Sequence, residues 1–109
     1  MKLVGVISGG SFAKPAELLD GGSCRQVFRV PVQEGLHLRP AAMLVSAAER
    51  YEADITIQRD GFAVSARSIM GILTLEAAFG AELLVEAAGE DAEDALAAIA
   101  ELFSSNFSL

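Results

Sequence analysis

Soft metal ligands are scarce in this chain, which has one histidine and one cysteine. A single thiol, Cys24, excludes an intramolecular disulfide and fits a reducing, cytoplasmic setting. Together the two residues fall short of the donor set a zinc site needs, so no metal is expected. Basic residues are also few: eight Lys and Arg stand against fifteen Asp and Glu, for a formal net charge of −7. That balance argues against nucleic acid, whose binding rests on neutralising phosphates, and against an anionic membrane surface. Long apolar runs are missing too, and none approaches the ~20 residues of a spanning helix. The opening residues 1–7 are apolar but end at Ser8-Gly9-Gly10-Ser11, too soon for the ~7–15-residue core of an export signal. Asp20-Gly21-Gly22-Ser23 is too polar to make Cys24 a lipidated cysteine.

What is present is one domain's worth of chain. The 109 residues are 52% hydrophobic, enough for a real core, and no long polar tract suggests disorder. Residues 1–23 are rich in Gly and Ser around one short helix-like stretch, 15–19. They read as an extension outside the main domain, in the form of a flexible tail, an added strand or a misplaced start, with the domain proper at 24–109.

From Val27 the pattern becomes regular. Phe28, Val30 and Val32 alternate with polar neighbours at strand period, and Pro31, which cannot donate to a ladder, places that strand at a sheet edge. Residues 40–51 read as a helix whose apolar face is Ala41, Leu44, Val45 and Ala48, with Pro40 in the first turn, where a missing N–H is harmless. Residues 54–58 and 62–66 are the strands of a hairpin turning at Asp60-Gly61. Ser68 caps a short helix that runs to residue 78, ended by Gly80 in left-handed conformation. Residues 81–87 form the fourth strand. Gly89-Glu90-Asp91 opens a last helix, acidic where the helix dipole favours it, with Ala95, Leu96, Ile99, Leu102 and Phe103 on its buried face. The order β-α-β-β-α-β-α predicts an α+β domain, one sheet with helices on one face.

The lone histidine lies in Gly35-Leu36-His37-Leu38-Arg39-Pro40-Ala41-Ala42, between an apolar run and a helical pattern. An imidazole at a helix N-terminus meets free N–H groups and the positive end of the dipole, a setting that receives anions. A histidine capping a helix at the surface is the commoner reading of such a residue taken alone. Arg39 is slightly unfavourable against that dipole, a weak sign of a functional reason, and Pro40 is structural.

Taken together, these segments resemble HPr, the histidine-containing phosphocarrier family of the phosphoenolpyruvate-dependent sugar phosphotransferase system. The likeness spans residues 24–107. Gly35-Leu36-His37-x-Arg39-Pro40-Ala41 is similar to the family's active-site signature, Ala66-Arg67-Ser68-Ile69-Met70-Gly71 to its regulatory serine motif, and Gly89-Glu90-Asp91 precedes the last helix as in the family. The resemblance implies an open-faced β-sandwich, a four-stranded antiparallel sheet with three helices on one face. It implies a phosphoryl carrier rather than an enzyme, needing no cofactor, cytoplasmic and monomeric. It also implies that His37 is phosphorylated at Nδ1 by enzyme I and passes the phosphate to an enzyme IIA, with Arg39 stabilising the phosphate. Ser68 is then a regulatory site for an HPr kinase/phosphorylase, and Leu38, Ile69, Met70, Leu73 and Glu76 a partner-binding patch. Bulky apolar residues at a helix start are as often core.

Three positions depart from the family pattern. Leu38 replaces the small or hydroxyl residue usual between His and Arg. Glu76 stands where glycine is usual, and its carboxylate could act on His37 or point to solvent. Glu49 lies where some members carry a basic residue. These departures leave a second reading open, a regulatory paralogue that binds a transcription factor or kinase. A third, an ACT-like small-molecule-sensing domain, leaves His37 unexplained, since fold alone does not fix function.

Overall fold

The computed structural model describes residues 2–3 and 14–108. A single antiparallel sheet has the order β1-β2-β3-β6-β4-β5. Its strands are β1 (Lys2–Leu3), β2 (Glu17–Leu19), β3 (Ser23–Arg29), β4 (Asp54–Arg59), β5 (Phe62–Ser65) and β6 (Glu82–Ala88). The helices are α1 (Leu38–Ala48), α2 (Ile69–Thr74) and α3 (Ala92–Ser104). Alternation decides which sheet face is covered: Cys24, Phe28, Ile55, Ile57, Leu83, Val85 and Ala87 are buried. They meet the apolar stripes of the helices, Ala41, Leu44, Val45 and Ala48 on α1 and Ala95, Leu96, Ile99 and Phe103 on α3. Phe28 stacks on Phe103 with ring centroids 4.5 Å apart, and Phe107 meets Phe103 edge-on at 5.0 Å.

The sheet has six strands, where the sequence pattern predicts four, because residues before the expected domain start pair into it. Leu18 sits opposite Cys24 and Glu17 opposite Arg25, with an ion pair of 3.6 Å between the last two. Gln26, the buried polar side chain of the core, donates Nε2 to the Lys14 carbonyl at 3.4 Å. The helix expected over 15–19 is therefore strand at Glu17–Leu19. A segment this short cannot nucleate a helix against a ready ladder. The same pairing corrects the edge assignment of the first predicted strand: β3 lies between β2 and β6, and Pro31 falls beyond its end. Residues 1 and 4–13 of the extension lie outside the described residues.

At the hairpin, Asp60 and Gly61 both take positive φ, 50° and 84°, as a two-residue turn matching strand twist requires. The helix expected to reach residue 78 stops at Thr74. Leu75 is buried there and Glu76 enters the left-handed region at φ 48°, ending the helix four residues earlier than its apolar pattern suggests. Gly80, expected as the cap, instead serves the turn into β6. Its N–H bonds the Val30 carbonyl at 2.9 Å, and Ala81 closes on Ala78 at 3.0 Å. At the start of α3 the Asp91 carboxylate makes no cap bond within the helix. It accepts instead from the N–H groups of Glu52 and Ala53, both at 2.8 Å, and so ties the start of α3 to the chain leaving α1.

Candidate functional site

His37 is the N-cap of α1, extended at φ −84° and ψ −167°, and its side chain makes no capping bond. The exposed imidazole instead places Nδ1 3.0 Å from the Gly35 carbonyl, which also accepts from the His37 N–H at 2.9 Å. A carbonyl can only accept, so this contact is a hydrogen bond when Nδ1 carries the proton, and the lone pair is then on Nε2.

The loop bearing His37 is held from behind by the chain leaving α2. Leu36 N–H bonds the Ala77 carbonyl at 2.9 Å. Gly35 has φ 75°, and a Cβ there would lie 2.6 Å from the Ala77 oxygen. Glycine is required at that position both by conformation and by the closeness of the two backbones. The Ala77 strut behind this loop is a feature the motif did not reveal, although Gly35 within the motif was its signal.

Arg39, in the first turn of the helix, is directed elsewhere. Its Nη1 donates to the Phe107 carbonyl at 2.5 Å and lies 3.3 Å from Met43 Sδ. Met43 and Arg39 also line a surface groove between α1 and α3 with Ala42, Ser46, Ala47, Arg50 and Leu102.

Ser68 is the N-cap of α2, and its hydroxyl accepts from Gly71 N–H at 2.9 Å. Gly71 leaves no room to spare: a Cβ on it would meet Ser68 Oγ at 2.9 Å. Arg67, just before, turns its guanidinium inward, bonding the Tyr51 carbonyl and, at 3.3 Å, that of Ala53. Of the expected patch, Leu38 and Met70 are large apolar residues left 62% and 72% exposed. Ile69 and Leu73 are half-buried against the core. Glu76 is exposed, with its backbone carbonyl rather than its carboxylate engaged, by Arg59 at 3.5 Å. Glu49 is the exposed C-cap of α1.

Cys24 is wholly buried in β3. Burial, with a smaller contribution from the Glu93 carboxylate, pushes its thiol up to about 11, which makes it a packing residue rather than a nucleophile. Among the described residues, no helix is long and apolar enough to cross a membrane.

Comparison with known proteins identifies the family of the chain. The family described as "PTS HPr component phosphorylation site" matches residues 24–105. The phosphocarrier protein HPr of Treponema pallidum is 43% identical over 79 residues, 72% of this chain and 90% of the relative. The HPr-like protein Crh of Bacillus subtilis is 40% identical over 76 residues, 70% of this chain and 89% of its own. The crystal structure of HPr-C-His from Thermoanaerobacter tengcongensis superposes with a TM-score of 0.74 at 35% identity, covering 76% of this chain and 93% of that one. With an α+β sheet carrying its helices on one face and a histidine at the start of α1, the chain belongs to the HPr family, the phosphocarrier proteins of the phosphotransferase system, which carry phosphate rather than act as enzymes.

Proposed function

We propose that His37 is the residue phosphorylated, accepting phosphate from phosphorylated enzyme I and passing it to an enzyme IIA component. The observation that carries this reading is an exposed imidazole at the N-cap of α1 whose ring, among the described residues, bonds only a loop carbonyl. The N–H groups of the first turn of α1 have no acceptor within the helix and face the same end as the imidazole. In the transfer, a bond forms between phosphorus and an imidazole nitrogen as the bond from phosphorus to its donor breaks. The family resemblance assigns that nitrogen as Nδ1. The ring must then swing away from the Gly35 carbonyl and move its proton to Nε2, leaving the Nδ1 lone pair free. The phosphoryl group arrives beside the helix N–H groups, and positioning and charge neutralisation carry the step. Arg39 supplies charge by exchanging the Phe107 carbonyl for a phosphoryl oxygen, an anionic and therefore stronger acceptor.

Leu38 and Met70, with the half-buried Ile69 and Leu73, form the apolar part of the docking surface for these partners, methionine suiting a face that accepts several. Ser68 is the regulatory position, for an HPr kinase/phosphorylase. Phosphate on the cap of α2 favours the helix end locally and acts by placing negative charge in the docking surface. The chain works in the cytoplasm, as a monomer.

The test is phosphate uptake from phosphoenolpyruvate and enzyme I, read by intact mass for wild type and His37→Ala. An acid-labile gain of one phosphate, lost in the variant, is expected. No gain with the enzyme I of the same organism overturns the reading. The similarity to the HPr-like protein Crh favours, as the second reading, a regulatory paralogue acting through Ser68 by binding a transcription factor or kinase. That reading predicts partner binding that depends on Ser68 phosphorylation and is indifferent to His37→Ala.

A further inference from the structure

Arg59 ends β4, far in sequence from His37, yet its guanidinium reaches the chain leaving α2 that backs the His37 loop. Nη1 donates to the Leu75 carbonyl at 2.7 Å and reaches that of Glu76 at 3.5 Å. The next carbonyl, Ala77, accepts from Leu36 N–H at 2.9 Å. Three successive carbonyls are thus held, two by Arg59 and one by the backbone that leads directly into His37. The middle residue, Glu76, is in left-handed conformation at φ 48°, where a side chain other than glycine, Asn or Asp is strained. Glycine is the usual occupant of this position in the family, as the sequence likeness implies, and glycine needs no clamp to hold such a φ. A glutamate does, because any relaxation toward negative φ would swing the Ala77 carbonyl away from Leu36. Asp60 keeps Arg59 in place from the other side, with Oδ2 3.8 Å from Nε.

We propose that Arg59 is a positioning residue for His37: by clamping the carbonyls of Leu75 and Glu76 it holds a strained loop whose next carbonyl sets the orientation of the imidazole-bearing turn. The proposal rests on His37 as the phosphorylated residue only for its kinetic consequence. The geometric part concerns a histidine that is the sole one in the chain, so its imidazole resonances report on it without overlap. Arg59 touches neither phosphate nor partner in this scheme and acts through the loop.

The experiment compares wild type, Arg59→Ala, Arg59→Lys, Glu76→Gly and the Arg59→Ala/Glu76→Gly double variant. Two readouts are taken on each: the 15N and 1H shifts of the His37 ring without any partner, and kcat and KM for phosphate uptake from phosphorylated enzyme I. Arg59→Ala is expected to move the ring shifts and to lower kcat roughly tenfold with KM little changed, short of the about hundredfold that a 1 Å misplacement can cause. Arg59→Lys, which can still donate to one carbonyl, recovers part of the loss. Glycine at 76 removes the need for the clamp, so the double variant is expected to return toward wild type in both readouts. Should Arg59→Ala fail to fold, the double variant against Glu76→Gly alone carries the test, with near-identity expected. Unchanged ring shifts in a folded Arg59→Ala, or a double variant as impaired as Arg59→Ala, overturns the proposal. A wild type that takes up no phosphate refutes the role of His37 instead, while the ring shifts still decide the role of Arg59.

Discussion

Arg39 and Phe107 are 68 residues apart and joined by one hydrogen bond, Nη1 to the carbonyl, at 2.5 Å. The bond closes the turn after α3 onto the helix that His37 caps. Phe107 takes φ 56°, unusual for an aromatic residue, and its N–H reaches back to the Leu102 carbonyl at 2.8 Å, a 6→1 closure of the kind that ends many helices. Its ring is fully buried against Phe103.

Packing and charge at this junction separate by mutation. Phe107→Ala is expected to lower stability by about 3–5 kcal/mol, the range for emptying a buried aromatic site, read by urea denaturation. Arg39→Ala loses one exposed-end hydrogen bond, about 1 kcal/mol, but lowers the rate of phosphate uptake on His37 by roughly 10- to 100-fold. Arg39→Lys falls between, since an ammonium keeps the charge without the planar fork. An Arg39→Ala variant with a normal uptake rate would remove Arg39 from the site.

Ser68→Ala removes the hydroxyl that accepts from Gly71 N–H at 2.9 Å. A lost N-cap is expected to lower stability by about 1 kcal/mol, while Ser68→Asp, a good cap with a charge at the favourable end of the helix, stays within about 0.5 kcal/mol of wild type. Thermal melts of both variants check the ordering. A melt of Ser68→Ala identical to wild type would mean that the cap is not made in solution.

The strands and helices were readable from the sequence where apolar spacing is long and regular. The β4–β5 hairpin, α1 and α3 were expected within a few residues, because their buried faces, such as Ile55 with Ile57 or Leu96 with Ile99, recur at one period. The end of α2 was not, because its sequence remains apolar through Leu75, Ala77 and Ala78. Only the left-handed Glu76 stops it, and that conformation is stabilised by Arg59 from another strand. Strand β2 was hidden for a similar reason: residues 15–19 carry no strong period, and their ladder comes from β3. Around His37 the motif located the histidine and the glycine that admits its loop. It did not reveal that Arg39 turns toward the C-terminus, since a carbonyl partner leaves no signature in side-chain spacing.

Gly35→Ala tests the contact behind His37. The added Cβ would lie 2.6 Å from the Ala77 oxygen on a backbone at φ 75°. Both the left-handed strain and the backbone clash oppose it, so a loss of about 3 kcal/mol or more is expected. If the loop instead yields, the strain appears as a displaced His37 ring and slowed phosphate uptake. Wild-type stability together with wild-type uptake would show that the Leu36–Ala77 bond does not hold the loop.

Cys24 provides a pH test of the core. Its thiol is fully buried and pushed from 9.0 up to about 11 by burial and, secondarily, by the Glu93 carboxylate. The folded state therefore holds the thiol proton more tightly than the unfolded chain does. Below pH 9 both states are protonated and the thiol's contribution is complete. Between pH 9 and pH 11 the unfolded chain ionises first, so it binds fewer protons and stability falls as pH rises. A shift of that size corresponds to at most about 2–3 kcal/mol lost across the window. Urea midpoints measured from pH 8 to 11 should show that decline in wild type and a shallower one in Cys24→Ala, whose small apolar side chain has nothing to ionise. The native thiol should also resist alkylation at pH 8 and react once urea unfolds the chain. Parallel pH profiles for the two proteins, or rapid alkylation of the native one, would show that β3 opens to solvent at Cys24.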